Sequence, residues 1–171
     1  MNTLDHLERG LFLPNRGVWI DWGATYDDLA GGADDAKSWK VENNGHSESY
    51  AEVRWEHERL VPLKPEDSSW SGSLDGLVIA RLQGKPPKIK WFELYVFDKG
   101  YYRFEIFQYS LWMSRLASKF GEPKIPTSGL HEGCLHVPKC IWEVGSVAID
   151  LALIDGKGTP CLRVLVQRGD F

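Results

Sequence analysis

The stretch that decides the fold reads IKWFELYVFDKGYYRFEIFQ at 89–108, SLWMSRLASKF at 110–120 and VAIDLALIDGKGTPCLRVLVQ at 147–167. The first and third segments each contain a turn with aspartate and glycine, and apolar and polar residues alternate after the turn of the first and on both sides of the turn of the third, which is typical of β-hairpins. In the middle segment, apolar residues recur every three or four positions, as they do on one face of a helix. The order is therefore hairpin, helix, hairpin.

The segment 110–120 carries helix signals at both ends. Ser110 is a suitable N-cap, because its hydroxyl can accept a hydrogen bond from a backbone N–H of the first turn. Gly121 can adopt the left-handed conformation that often follows a helix. The apolar stripe consists of Trp112, Leu116 and Phe120. The sequence thus predicts an α+β fold, a twisted antiparallel sheet with one main helix packed on a face.

Length and composition favour a single globular domain over residues 1–171. A chain of this size buries roughly 70% of its unfolded surface, enough for a sizeable core. Residues 1–10 are polar and charged, and no apolar run approaches the roughly 18 residues of a membrane-spanning helix. The chain has three cysteines. An odd number without a secretory leader predicts free thiols and a cytoplasmic protein with no membrane attachment.

The amino-terminal half gives weaker patterns. Thr25 and Asp28 form a capping-box-like pair, which predicts the start of a short helix. Residues 37–49 have no clear period and are predicted to be a loop. Residues 50–61 alternate as a long strand, and 64–73 has the composition of a second loop.

Charge is distributed unevenly along the chain. Residues 1–79 hold 15 acidic and 7 basic side chains, a net charge of −8, whereas residues 80–171 hold 9 acidic and 13 basic, a net of +4. An acidic half argues against nucleic-acid binding, which needs clustered lysine and arginine. It suits a surface that attracts a basic protein partner. The alternative is an ordinary solvated surface.

Two of the eight tryptophans, Trp39 and Trp70, lie in predicted polar loops beside acidic residues. Exposed tryptophan is enriched in interface hot spots because it buries a large rigid surface. The alternative is that each loop folds back and places its indole against the sheet. The predicted partner-binding surface consists of Asp27, Asp28, Asp34, Asp35, Trp39 and Trp70.

The sequence contains no nucleophile elbow, redox Cys-x-x-Cys pair or phosphate-binding loop, so no catalytic residue and no cofactor are predicted. His57 should face the same side as Val53 and Trp55, away from the neighbouring glutamates, and is predicted to be a half-buried structural residue. The potential metal ligands are His131, Cys134, His136 and Cys140. Their tight spacing differs from the paired spacings of structural zinc sites, so a metal site is not predicted.

In general character, the chain resembles the small bacterial immunity proteins that neutralise toxins: it is short, acidic, sheet-rich and free of catalytic motifs. We therefore predict a non-catalytic cytosolic inhibitor that binds a basic partner through its acidic, tryptophan-bearing surface. Two alternatives remain. One is a small-molecule or metal-dependent enzyme with its site near 131–140. The other is a structural subunit that uses the strand 91–97, whose two faces are both apolar.

Overall fold

The computed structural model describes residues 3–43, 46–60, 75–96, 104–125, 138–156 and 159–169. These ranges contain nine strands and two helices. The strands are β1 (Gly10–Leu13), β2 (Val18–Asp21), β3 (Asp35–Asn43), β4 (His46–Arg59), β5 (Asp75–Gln83), β6 (Lys88–Val96), β7 (Cys140–Val144), β8 (Val147–Gly156) and β9 (Thr159–Arg168). The helices are α1 (Tyr26–Ala30) and α2 (Phe104–Phe120).

Most of the described chain is antiparallel sheet, as the sequence predicts. Seven of the described strands form one sheet in the order β3-β4-β5-β6-β9-β8-β7, and β1 pairs with β2 in a separate hairpin. We call the side of the large sheet that contributes to the hydrophobic core the inner face, and the opposite side the outer face. Inner-face residues from successive strands include Val53, Ala80, Phe92, Val164 and Leu151.

The hairpin predicted at 147–167 is confirmed as β8 and β9. Ile149 pairs with Val166, and Leu151 pairs with Val164. All four side chains are buried. The regular alternation in both strands made this segment easy to predict, because a shift of one residue would move every apolar side chain to the other face.

The hairpin predicted at 89–108 is wrong. Its first strand is present as β6, but β6 pairs with β5 and β9, and α2 already begins at Phe104. The proposed turn at 98–100 lies outside the described residues. A short apolar run fits a strand or a buried helix equally well. The helical spacing continues upstream from Trp112 to the buried Gln108, so Ser110 lies inside the helix and is not its N-cap.

The loop predicted at 37–49 is also wrong, because β3 and the beginning of β4 occupy it. Nine residue pairs connect the two strands, from Asp35 with Arg54 to Asn43 with His46. Ala36 packs against the core, whereas the alternate positions Lys37 and Trp39 belong to the outer face. The segment is too polar to show this pattern clearly, and its pairing with β4 determines its structure.

A β-bulge corrects the predicted position of His57. Trp55 pairs with Val78, but Glu58 pairs with Gly76, so β4 holds one residue more than β5 here. His57 has a φ of +58° and is exposed rather than half-buried. The bulge turns the side chain of Glu58 inward, where Arg16 meets it at 2.8 Å. A bulge redirects the side chains that follow it.

Two elements cover the inner face. Helix α2 contacts β7, β8 and β9. The amino-terminal segment supplies Leu4, Leu11 and Trp22, and the Trp22 ring lies 4.8 Å from that of Phe92. In the described part of the chain, no helix has the length and apolarity needed to cross a membrane.

Replacing Leu116 with alanine tests whether α2 is a core element. Leu116 is 1% exposed, so Leu116→Ala should lower the free energy of unfolding by about 2–5 kcal/mol through lost burial and a residual cavity. Ser118→Ala, at an exposed position of the same helix, should change it by no more than about 0.5 kcal/mol. Denaturant titration measures both. Equal effects of the two substitutions would show that the stripe is not core.

Candidate functional site

The predicted partner-binding residues fall on two neighbouring elements. Asp27 and Asp28 lie in α1, Asp34 immediately precedes β3, and Asp35 and Trp39 lie within β3. Trp70 lies outside the described residues. Helix α1 contacts β3 and β4, so the described members of the predicted surface are grouped at one end of the sheet.

Two of these carboxylates have structural partners. The Asp28 carboxylate accepts hydrogen bonds from the backbone N–H of Thr25 at 2.8 Å and from its hydroxyl at 2.7 Å, which confirms the predicted capping box. Asp34 accepts from the backbone N–H of Glu56 at 2.7 Å and pairs with Arg16 at 2.5 Å. These donors lower the pKa of both carboxyls. Asp28 and Asp34 therefore hold the local structure together.

Exposed Trp39 forms an aromatic pair with half-buried Tyr50. They are register partners on β3 and β4, and their rings stack with centroids 6.1 Å apart and planes 14° apart. Trp39 is 41% exposed. The sequence left open whether the Trp39 indole is exposed or folded back against the sheet; it is exposed, and it lies on a strand and not in the predicted loop. Stacking on Tyr50 keeps this large side chain ordered at the surface.

A cleft of about 330 Å³ lies beside this pair. Tyr26 and Asp27 line it from the first turn of α1, and Pro86 and Pro87 line it from the turn between β5 and β6. The remaining lining residues are Thr25, Ser38, Trp39, Lys40, Ser49 and Tyr50. Of the six predicted site residues, the cleft brings together Asp27 and Trp39. Tyr26 and Tyr50 complete its aromatic lining and were not predicted, because only the fold brings α1 beside the paired strands β3 and β4.

A buried ion-pair network lies next to the aromatic pair on the outer face. The Glu52 carboxylate is 2% exposed and meets Lys37 at 2.9 Å and Arg54 at 2.5 Å, and Arg81 also pairs with it. The alternating pattern correctly separated Glu52 from Val53 and Trp55. It did not reveal that Glu52 is buried, because its partners come from three strands.

The network continues to Glu93 on β6. Arg81 also pairs with Glu93 at 3.2 Å, and Glu93 accepts hydrogen bonds from the Trp91 indole at 2.9 Å and the Tyr95 hydroxyl at 2.8 Å. The outer-face aromatic residues of β6 thus bind a carboxylate on their own strand. This weakens the interpretation of 91–97 as a purely apolar docking strand.

These contacts shift two pKa values in opposite directions. Burial alone would raise the pKa of Glu93, but hydrogen bonds from Trp91, Arg81 and Tyr95 outweigh it and lower that pKa. Burial, reinforced by the bond to Glu93, raises the pKa of Tyr95 to about 12. Near neutral pH the pair is therefore a carboxylate and a neutral phenol, which suits a fixed structural hydrogen bond.

The alternative enzyme site lies mostly outside the described residues, which include Cys140 but not His131, Cys134 or His136. Cys140 is buried at the start of β7, and its sulfur lies 3.1 Å from the Tyr109 hydroxyl. Among the residues that the structure describes, no three histidine, cysteine or acidic side chains are grouped to hold a metal ion.

The lowered pKa of Glu93 predicts a pH dependence of stability. A carboxylate whose pKa is lower in the folded state stabilises the protein above its unfolded pKa, and this stabilisation is lost as the pH falls through the folded pKa. Glu93→Gln should therefore have a lower melting temperature than wild type at neutral pH. The difference between the two melting temperatures should shrink as the pH falls below about 4.5. Glu143→Gln, at an exposed carboxylate of β7, is the control. A constant gap between wild type and Glu93→Gln from about pH 7 to about pH 3 would contradict the account.

Comparison with known proteins places this chain in no family. No family model, no curated protein and no solved structure matches it. The function therefore has to be argued from the described site, in which an exposed stacked tryptophan borders an aromatic cleft with one aspartate at its edge.

Proposed function

We propose that this chain is a non-catalytic protein-binding module, a cytosolic inhibitor of the immunity type, that blocks a basic partner protein. The partner docks at the cleft formed by Tyr26, Asp27, Trp39 and Tyr50. The single observation that carries the proposal is Trp39, which is 41% exposed, stacked on Tyr50 and beside the Asp27 carboxylate. We further propose that α2 is the main helix of the fold and covers the inner face. The partner therefore binds at the end of the sheet formed by β3 and β4.

The aromatic pair supports a protein ligand. Tryptophan and tyrosine dominate hot spots because a rigid ring buries much area at little cost in conformational entropy. Trp39 is already ordered by its contact with Tyr50, so binding requires little additional ordering of its side chain. The proline pair at 86–87 adds a further rigid wall to the cleft.

Charge supports a basic ligand. The segment 26–59, which contains α1, β3 and β4, holds nine acidic and four basic residues, a net charge of −5. Asp27 and Asp35 are exposed, and among the described residues neither forms an ion pair like that of Asp34 with Arg16. Lys40 also lines the cleft and opposes part of this charge. An arginine of the partner fits best, because its planar guanidinium can stack on Trp39 and pair with Asp27.

The experiment begins with capture of the partner. A photo-crosslinking residue at position 41, an exposed site two residues from Trp39 on β3, should link the full chain to one basic protein in native cytosol. The same probe at Ile125, which is also exposed, is the control. If no protein is linked specifically at position 41, the protein-binding proposal is wrong.

Binding kinetics with the captured partner then test the cleft. Trp39→Ala should weaken binding by at least about 2 kcal/mol, mainly through faster dissociation, because a central aromatic contact is lost. Asp27→Asn should mainly slow association, and added salt should reduce this difference. The matched controls are Ile125→Ala for the apolar change and Glu122→Gln for the charge change. If Trp39→Ala and Asp27→Asn both bind like wild type, the partner docks elsewhere.

A further inference from the structure

A second cleft lies on the other side of the β5–β6 turn, and its charged lining residues are all cationic. Its volume is about 590 Å³, and it extends from this turn to the end of β9. Four cationic side chains line it: Lys85, Lys88, Lys90 and Arg168. Trp22 and Ile89 form its apolar wall, and no aspartate or glutamate is among its lining residues in the described chain.

Strand register explains why these cations meet. Arg81 pairs with Trp91 and Leu82 pairs with Ile89, so Lys90 is an additional residue of β6 without a partner on β5. Lys88 and Lys90 are two residues apart on β6, a spacing that places both side chains on the same side of a strand, and both line the cleft. On the other side, Trp91 pairs with Gln167, which places the next residue of β9, Arg168, next to Lys90.

The four cations make no direct polar side-chain contact within the described structure, and Lys85 and Lys90 interact with Glu48 only at longer range. None of them makes an ion pair or a side-chain hydrogen bond to another described residue. The nearby Glu48 is engaged elsewhere. Hydrogen bonds from Tyr50 and Gln83, followed by the charges of Lys90 and Lys85, lower its pKa. Grouped like charges repel one another, so an anion that binds in the cleft relieves this repulsion and lowers the free energy.

We propose that this cleft binds a compact phosphate-bearing anion. Three ammonium groups supply strong point charges for phosphate oxygens, and the guanidinium of Arg168 can bind two oxygens at once. The volume falls within the range of small-molecule sites, about 300–1,000 Å³. The proposal is independent of the protein partner suggested above, because none of the four cations on which it rests lines the first cleft.

Calorimetric titration of the purified full chain with inorganic pyrophosphate tests this site. We expect one saturable site whose affinity falls as salt rises. The double variant Lys88→Gln/Lys90→Gln should weaken binding at least about tenfold, and Arg168→Gln should also weaken it, because each removes charge-assisted hydrogen bonds. Arg9→Gln and Lys124→Gln, which change exposed cations outside both clefts, should bind like wild type. All these side chains are exposed, so unliganded melting temperatures should stay within a few degrees of wild type, as is usual for surface changes.

Two further titrants distinguish the source and chemistry of the anion. Vesicles that contain phosphatidylinositol bisphosphate test whether the anion is a lipid headgroup, and phosphatidylcholine vesicles are their control. Binding of the protein to the first kind of vesicle that is lost on substitution of Lys88 and Lys90 supports the phosphate site. Citrate tests for a general anion site. The proposal is overturned if pyrophosphate shows no saturable binding, if the cleft variants bind as well as the two controls, or if citrate binds as tightly as pyrophosphate. It is also overturned if a single-stranded oligonucleotide binds more tightly than both phosphate probes.

Discussion

The buried carboxylate of Glu52 holds one half of the sheet together. It pairs with Lys37 on β3, with Arg54 on its own strand and with Arg81 on β5, and Arg81 in turn reaches Glu93 on β6. A buried charge is costly unless partners surround it, so strand arrangements that separate these groups are strongly disfavoured. The pairing of Trp39 with Tyr50, two residues away on the same strands, depends on this register.

The sequence predicted those structural features whose determining residues lie close together in the chain. The β8–β9 hairpin and the capping box at Thr25 have their determinants within a few residues, and both predictions are confirmed. The strand β3 and the bulge at His57 depend on pairing with distant strands, and both were missed. The start of α2 was misplaced because Ser110 looked like a cap, whereas the helix continues upstream through Gln108.

The candidate site likewise could be predicted only where its residues show their role without knowledge of long-range contacts. Charge and the position of tryptophans among acidic residues can be read from the sequence, and they selected Asp27 and Trp39, which do line one cleft. They also selected Asp28 and Asp34, whose internal partners cannot be recognised without the fold. The basic cleft could not be predicted, because Arg168 is far in sequence from Lys90 and meets it only through the pairing of β6 with β9. The two clefts differ in their lining, which is aromatic with one aspartate and one lysine in the first and cationic in the second, and Pro86 lines both.

Hydrogen–deuterium exchange on wild type and Glu52→Gln most directly tests the claim that this carboxylate maintains the strand register. The account predicts faster amide exchange in both β3 and β5 of the variant, with β8 and β9 unchanged, because the network acts on the strands that it joins. Unchanged exchange in β3 and β5 would contradict the claim. A uniform increase over all strands would contradict it as well, since it would show only a general loss of stability.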